Sequence, residues 1–157
     1  KQRYYHQHLI QVLLNKSCVK HGLYAKNGTK TFDVNDFQIP QEILDLSLED
    51  GCATLADFTS YLIATAITPL APKNIILAGG GWENPIILER LHNYIHKMTA
   101  KNNMKIDSAN AFGLRAQSME AEIFAYLAVR SIKNLPLSLP NTTNVPYPLT
   151  GGIIFQP

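Results

Sequence analysis

Excess charge is scarce in this sequence: fourteen Lys and Arg stand against twelve Asp and Glu, a net charge of +2. That is too little for neutralisation of a phosphate backbone to be the default role, so nucleic acid is not an expected partner. Long hydrophobic runs are missing too. No stretch approaches the roughly 20 apolar residues of a membrane-spanning helix, and the basic, His-containing start lacks the apolar centre of a signal peptide. No membrane contact and a cytoplasmic location are therefore expected. Cysteine is limited to Cys18 and Cys52, far apart and without further thiols to complete a metal set, so two reduced thiols are expected rather than a bridge. His92 and His96 have the i, i+4 spacing of zinc ligands, but the intervening "NYI" lacks the Glu of HExxH and no third ligand is evident. A solvent-facing pair is expected, and no metal site is assigned. His6 and His8 lie in a terminal segment and receive no specific role.

The 157 residues are 46% hydrophobic and 9% aromatic, enough for one packed domain. Leu9, Ile10, Leu13 and Leu14 have helical spacing within the first fourteen residues, yet no cap opens that segment, which reads as the middle of something longer. "VKHGLYAKNGTKTFDVNDF", Val19 to Phe37, is punctuated by Gly, Asn and Asp without a sustained period and reads as a loop-rich connection. A helix is predicted from Ser47 to Thr68, with Leu48, Leu55, Phe58, Leu62, Ile63 and Ala66 along one side and Glu49 and Asp50 at its electropositive start. Pro69 and Pro72 end it. "KNIILAG" then reads as a short strand buried on both faces.

Three glycines follow that strand directly, in "IILAGGGWENPIILERLHNYI". Asn84 is a good N-cap, Pro85 suits the first helical position, and Ile86, Ile87, Leu91, Tyr94 and Ile95 supply a packed side to about Met98. Strand, glycine turn and capped helix bring backbone N–H groups close to a ligand in α/β proteins. Gly79, Gly80 and Gly81 match neither GxGxxG nor Gly-Lys-Ser/Thr. On local sequence alone they fit equally a turn needed only for tight strand-to-helix packing. "NMKIDS" reads as another short strand, and "SMEAEIFAYLAVRSIKNLP" as a helix capped by Ser118 and ending near Asn134. Met119, Ile123, Phe124, Tyr126, Leu127 and Val129 make this helix apolar almost all round, which predicts burial. Glu120 shares a face with Phe124 and Leu127. It reads either as a buried carboxylate that wants a partner or as a wet first-turn acid stabilised by the helix dipole. The Pro-rich "LPLSLPNTTNVPYPLTGG" reads as a structural segment packed along the domain.

Together, "ATLADFTSYLIATAI", "IILAGGGWENPIILERL", "DSANAFGLRAQSMEAEIFAYLAVRSIKNLPLSLPNTT" and "GGIIFQP" resemble the C-terminal half of the anhydro-N-acetylmuramic acid kinase family in order, spacing and ending. The resemblance is strong from about Thr54 to Pro157 and reaches back weakly through "HLIQVLLNK". It implies an α/β fold, the C-terminal lobe of an actin-like ATPase (ribonuclease H-like) sugar kinase, with 47–157 as the nucleotide-side lobe and 1–46 as a helical, loop-rich connection to a missing N-terminal half. The implied activity is ATP-dependent opening and phosphorylation of 1,6-anhydro-N-acetylmuramic acid to N-acetylmuramic acid 6-phosphate in cell-wall recycling, with ATP and Mg as cofactors.

The phosphate loop of the "GTSxDG" kind and the "DTGPGN" segment with the catalytic aspartate are absent from these residues. No catalytic residue is therefore assigned, and the chain is expected to be inactive alone. "AKNGTKTF", Ala25 to Phe32, takes the place of the family's "KSTGRE" with different residues. The resemblance places Gly79, Gly80 and Gly81 against the nucleotide, and Asn84 as cap of the next helix near the adenosine. Glu120, the first acid of the family's "EAxAFAW" run, would face the sugar, whereas Glu122 and Asp57 fit structural roles. Expected partners are the N-terminal half of the kinase and the anhydrosugar; a homodimer is compatible with the sequence. The alternative is a non-catalytic nucleotide-binding remnant of the same fold.

Overall fold

A computed structural model describes residues 7–16, 37–99 and 104–155. His6, Cys18, the loop-rich stretch 19–36 and "AKNGTKTF" lie outside the described residues. Helix α1 spans Gln7–Lys16, α2 Gln41–Leu44, α3 Leu48–Ile67, α4 Pro85–Met98, α5 Met119–Ile132 and α6 Pro140–Thr143, with strands β1, Asn74–Leu77, and β2, Lys105–Ser108.

The long helix α3 begins where its sequence says it should. The Ser47 hydroxyl accepts the Asp50 N–H at 3.1 Å, relieving one of the donors that a helix start leaves unpaired. At the other end Thr68 is the C-cap, and a single 3-10 turn carrying Pro69 closes the helix. Of the stripe that periodicity predicts, Phe58 is buried and Leu55, Leu62 and Ile63 are partly buried against apolar clusters, while the small and polar Thr54, Ala56, Asp57, Ser60 and Ala64 are buried as well. Leu48 and Ala66 are exposed. The reason is that α3 is packed on two sides. One side meets α1 and α2, where Leu9, Ile10, Leu13, Ile43 and Phe58 form an apolar cluster flanked by Leu55 and Leu62. The other meets α4 through the small residues Ala56, Ser60 and Ala64, one turn apart, which let the two helices approach closely.

At that contact the Ser60 hydroxyl donates to the Ile87 carbonyl at 2.9 Å, and Ala64 shares a second apolar cluster with Leu91 and Ile95. Asp57, 1% exposed, also faces α4. The Tyr94 hydroxyl donates to its Oδ2 at 2.7 Å, and Arg90 Nε stands 3.7 Å from its Oδ1. Asp57 thus ties α3 to α4, the structural role expected of it.

β1, α4 and β2 form a βαβ unit with a two-stranded parallel sheet, Ile75 opposite Ile106 and Leu77 opposite Ser108. The expectation that β1 is buried on both faces is corrected. Leu77 is buried and Ile75 packs on the α4 cluster, but Ile76 on the opposite face is half-exposed. Successive strand residues point to opposite faces, and α4 covers only one of them. Burial of α5 is corrected as well: no residue of it is buried, and Ile123, Phe124, Tyr126, Val129 and Ile132 are exposed. Its apolar pattern is real, but no described element packs along it. Ser118 sits at the N-cap position with helical backbone angles and makes no side-chain cap bond, and the helix ends at Ile132, two residues before the predicted end.

The buried tie between α3 and α4 has a direct test. Tyr94→Phe keeps the ring that meets Tyr61 edge-on at 5.4 Å and removes only the hydroxyl bonded to Asp57. Loss of a hydrogen bond to a buried charge should lower unfolding free energy by about 1–3 kcal/mol, read from urea denaturation. An unchanged midpoint would assign Asp57 no stabilising link through Tyr94.

Candidate functional site

The glycine turn leaves β1 at its C-terminal end. Gly79 adopts φ 93° and ψ 159°, a conformation essentially confined to glycine. A single 3-10 turn, Gly80–Glu83, then leads to α4. The residues between the glycines and the helix start are thus themselves a tight turn. Asn84 caps α4 as predicted, its side-chain oxygen accepting the Ile86 N–H at 3.0 Å, with Pro85 at the first helical position.

Space around the turn separates the two readings that sequence left open. A Cβ built on Gly79, Gly80 or Gly81 would meet no atom within 4 Å. Tight packing within the described residues therefore does not require these glycines. Backbone conformation requires Gly79, and the backbone of Gly80 and Gly81 has open space beside it.

Behind the turn, the loop after β2 anchors it. Gly79 N–H donates to the Ala116 carbonyl at 3.0 Å, and the Gln117 amide donates to the Glu83 carboxylate. The Asn110 side chain accepts the Ala116 N–H at 3.1 Å, and Gly113, at φ 73°, turns the chain between them. These bonds bring the start of α5 beside the glycines. Glu120 lies in the first turn of α5 and is exposed, so the alternative of a buried carboxylate is corrected: the helix face it shares with Phe124 is uncovered. Glu122 pairs with Arg115 at 2.6 Å on the surface, in keeping with the structural role expected of it. His92 and His96 are both exposed on α4, and His8 is exposed on α1. Cys52 is a free, exposed thiol.

On the other side of Asn84, a cavity of about 370 Å³ opens between the first turns of α3 and α4, within the size range of small-molecule sites. Its walls include Glu49, Cys52, Ala56, Asn84, Ile86 and Arg90. Sequence reasoning picked out Asn84 alone among these as a site residue. The usable signal was the i, i+3 pairing of Glu49 and Cys52 on one face of α3, but only the α3–α4 packing shows that this face meets α4.

Comparison with known proteins bears on this arrangement. The family model for anhydro-N-acetylmuramic acid kinase matches residues 6–157. The anhydro-N-acetylmuramic acid kinase of Nitrobacter winogradskyi is 41% identical over 143 residues, covering 90% of this chain and 37% of the relative. That of Zymomonas mobilis is 36% identical over 151 residues, covering 95% and 38% respectively, and that of Caulobacter vibrioides 43% identical over 127 residues, covering 80% and 32%. The chain therefore spans little more than a third of the length of the curated relatives it matches.

The geometry of the turn predicts different responses at adjacent glycines. Gly79→Ala should destabilise the fold by about 1–3 kcal/mol through backbone strain, whereas Gly80→Ala should stay within about 0.5 kcal/mol of wild type. Equal losses in urea denaturation would mean that packing, not conformation, sets the glycine requirement. With a match running from residue 6 to residue 157 and relatives of one kind along most of the sequence, the chain belongs to the anhydro-N-acetylmuramic acid kinase family.

Proposed function

We propose that this chain is the C-terminal, nucleotide-side part of an ATP-dependent kinase that opens and phosphorylates 1,6-anhydro-N-acetylmuramic acid, giving N-acetylmuramic acid 6-phosphate for cell-wall recycling in the cytoplasm. The observation that carries the reading is the bare turn Gly79–Gly81, with no atom within 4 Å of any added Cβ, in a chain of this family. In this reading residues 47–157 form a lobe of an actin-like sugar kinase, and 1–46 connect it to the N-terminal part.

The roles divide by chemistry. Gly80 and Gly81 offer unobstructed backbone to the ATP phosphates. Asn84, whose oxygen is engaged in capping, keeps its amide N–H groups for the nucleoside, and the cavity beside it has room for the adenosine end. Glu120 is free to accept hydrogen bonds from sugar hydroxyls. Magnesium would come with the nucleotide phosphates rather than sit in a cage of protein ligands. Among the described residues no group of three or more His, Cys, Asp or Glu comes together, and Mg is commonly held by substrate phosphates with one or two carboxylates. The base that activates water and the clamp on the transferring phosphoryl group belong to the part of the enzyme that this chain does not span.

Activity is thus expected only when both parts are present. The purified chain with ATP and the anhydrosugar should give no sugar phosphate by mass spectrometry, and co-expression with the N-terminal part of a relative's kinase should restore turnover. In the restored enzyme Glu120→Gln should lower kcat/KM for the sugar about ten-fold, the scale of one hydrogen bond to a charged group, while ATP affinity stays the same. Turnover by the isolated chain that survives repurification would contradict this division of labour.

A further inference from the structure

The apolar surface with no role so far lies on α5 and the segment after it. Phe124 is 63% exposed, Ile154 64% and Phe155 86%. Chance exposure of single side chains is ordinary, but contiguous apolar patches are rare on free monomers. Here the patch is contiguous and shaped. The chain after α5 doubles back, with Ser138 and Leu149 paired as an antiparallel bridge, and the Ser131 hydroxyl donates to the Gly151 carbonyl at 2.6 Å. Arg130 Nε donates to the Pro136 carbonyl at 2.7 Å. Gly152, at φ 91°, lies so close to Ser131 that a Cβ there would collide with it. These bonds hold Ile153 and Ile154 against α5 and leave between them an apolar groove of about 410 Å³, walled by Phe124, Leu127, Ile132 and Leu137.

We propose that this groove and the exposed face of α5 are the seat of the N-terminal part of the kinase, an inference that rests on the functional reading above. Two observations select that occupant. First, the curated relatives are far longer than their match, of which the chain covers 37% and 38% of the length in two cases, so a large protein body is available to cover the face. Second, α5 begins three residues after Ala116, whose carbonyl accepts the Gly79 N–H. A body that occupies the groove and extends along α5 to its start reaches the glycine turn, where the phosphoryl clamp and base absent from this sequence are needed. Docking on α5 and completion of the nucleotide site become one event. The aromatic Phe124 at the groove's edge is the kind of anchor that dominates such interfaces.

The test co-expresses the tagged chain with the N-terminal part of the Nitrobacter winogradskyi kinase and measures capture and sugar phosphorylation of the purified material. A one-to-one complex is expected, and Phe124→Asp and Ile154→Asp should each reduce capture at least about ten-fold. Glu89→Ala, on the exposed side of α4, should capture like wild type. Because both apolar side chains are exposed, the variants should melt like wild type by circular dichroism, which separates lost docking from lost folding. Wild-type capture by both Asp variants overturns the proposal, as does the absence of any complex. It is also overturned if the chain alone sediments with the mass of two copies and Phe124→Asp returns it to one, since the face is then a self-interface. A complex that depends on Phe124 but makes no sugar phosphate leaves the docking surface standing and removes the kinase reading. An active complex indifferent to Phe124 does the reverse.

Discussion

Close approach of α3 and α4 is the constraint on which the rest of the described structure depends. Ala56, Ser60 and Ala64 remove the side-chain bulk that would hold the helices apart, and Leu91, fully buried, fills the space beyond. Burial of Asp57 between the helices would cost several kcal/mol if it were unpaired. Tyr94 and Arg90, both on α4, oppose that cost and at the same time fix the register of one helix on the other. With α4 fixed, β1 and the glycine turn at its start are fixed too. The same pairing of helices brings Glu49 and Cys52 of α3 to one cavity with Asn84, Ile86 and Arg90.

A second consequence concerns what lies outside. Among the described residues the apolar clusters are those of α1–α2–α3 and of α3–α4 with the sheet, and no residue of α5 is buried. Polar bonds, Ser131 to Gly151 and Arg130 to Pro136, tie the following chain to α5. An apolar helix held by its own polar brace presents a face without collapsing it. Hydrophobic burial stabilises in proportion to area, and in the proposed complex the exposed face of α5 would supply that contribution.

Legibility in the sequence followed locality. The ends of α3 and α4 could be read almost to the residue, because Ser47, Asn84 and Pro85 act through backbone bonds within one turn. The strand at Lys105–Ser108 falls inside the "NMKIDS" stretch read as a short strand. Burial was not legible, because it is a property of neighbours. β1 reads as a two-sided strand from Ile75, Ile76 and Leu77, yet a single helix covers it. The periodicity of α5 gives its apolar faces without saying what covers them, and the α3 stripe finds Leu55, Phe58, Leu62 and Ile63 but misses the second packed face, because Ala56, Ser60 and Ala64 are invisible to a hydrophobic pattern. At the site, Gly79–Gly81 and Asn84 were legible as a sequence-local device. Glu49, Cys52 and Arg90 reach the same cavity from two helices, a convergence that only the tertiary contact creates.

The central claim is that the glycine turn is bare because a nucleotide rests on it. Gly80→Val tests it most directly, since an added Cβ has open space within the described residues and an unchanged capture of the N-terminal part assigns any loss of affinity to the ligand. Calorimetric titration of ATP into the complex of this chain with the N-terminal part should show affinity weakened by about 1–3 kcal/mol, the scale of overpacking a close contact, with an unchanged melting temperature. Full ATP affinity in a folded Gly80→Val complex would contradict the account and leave the turn with a purely conformational role.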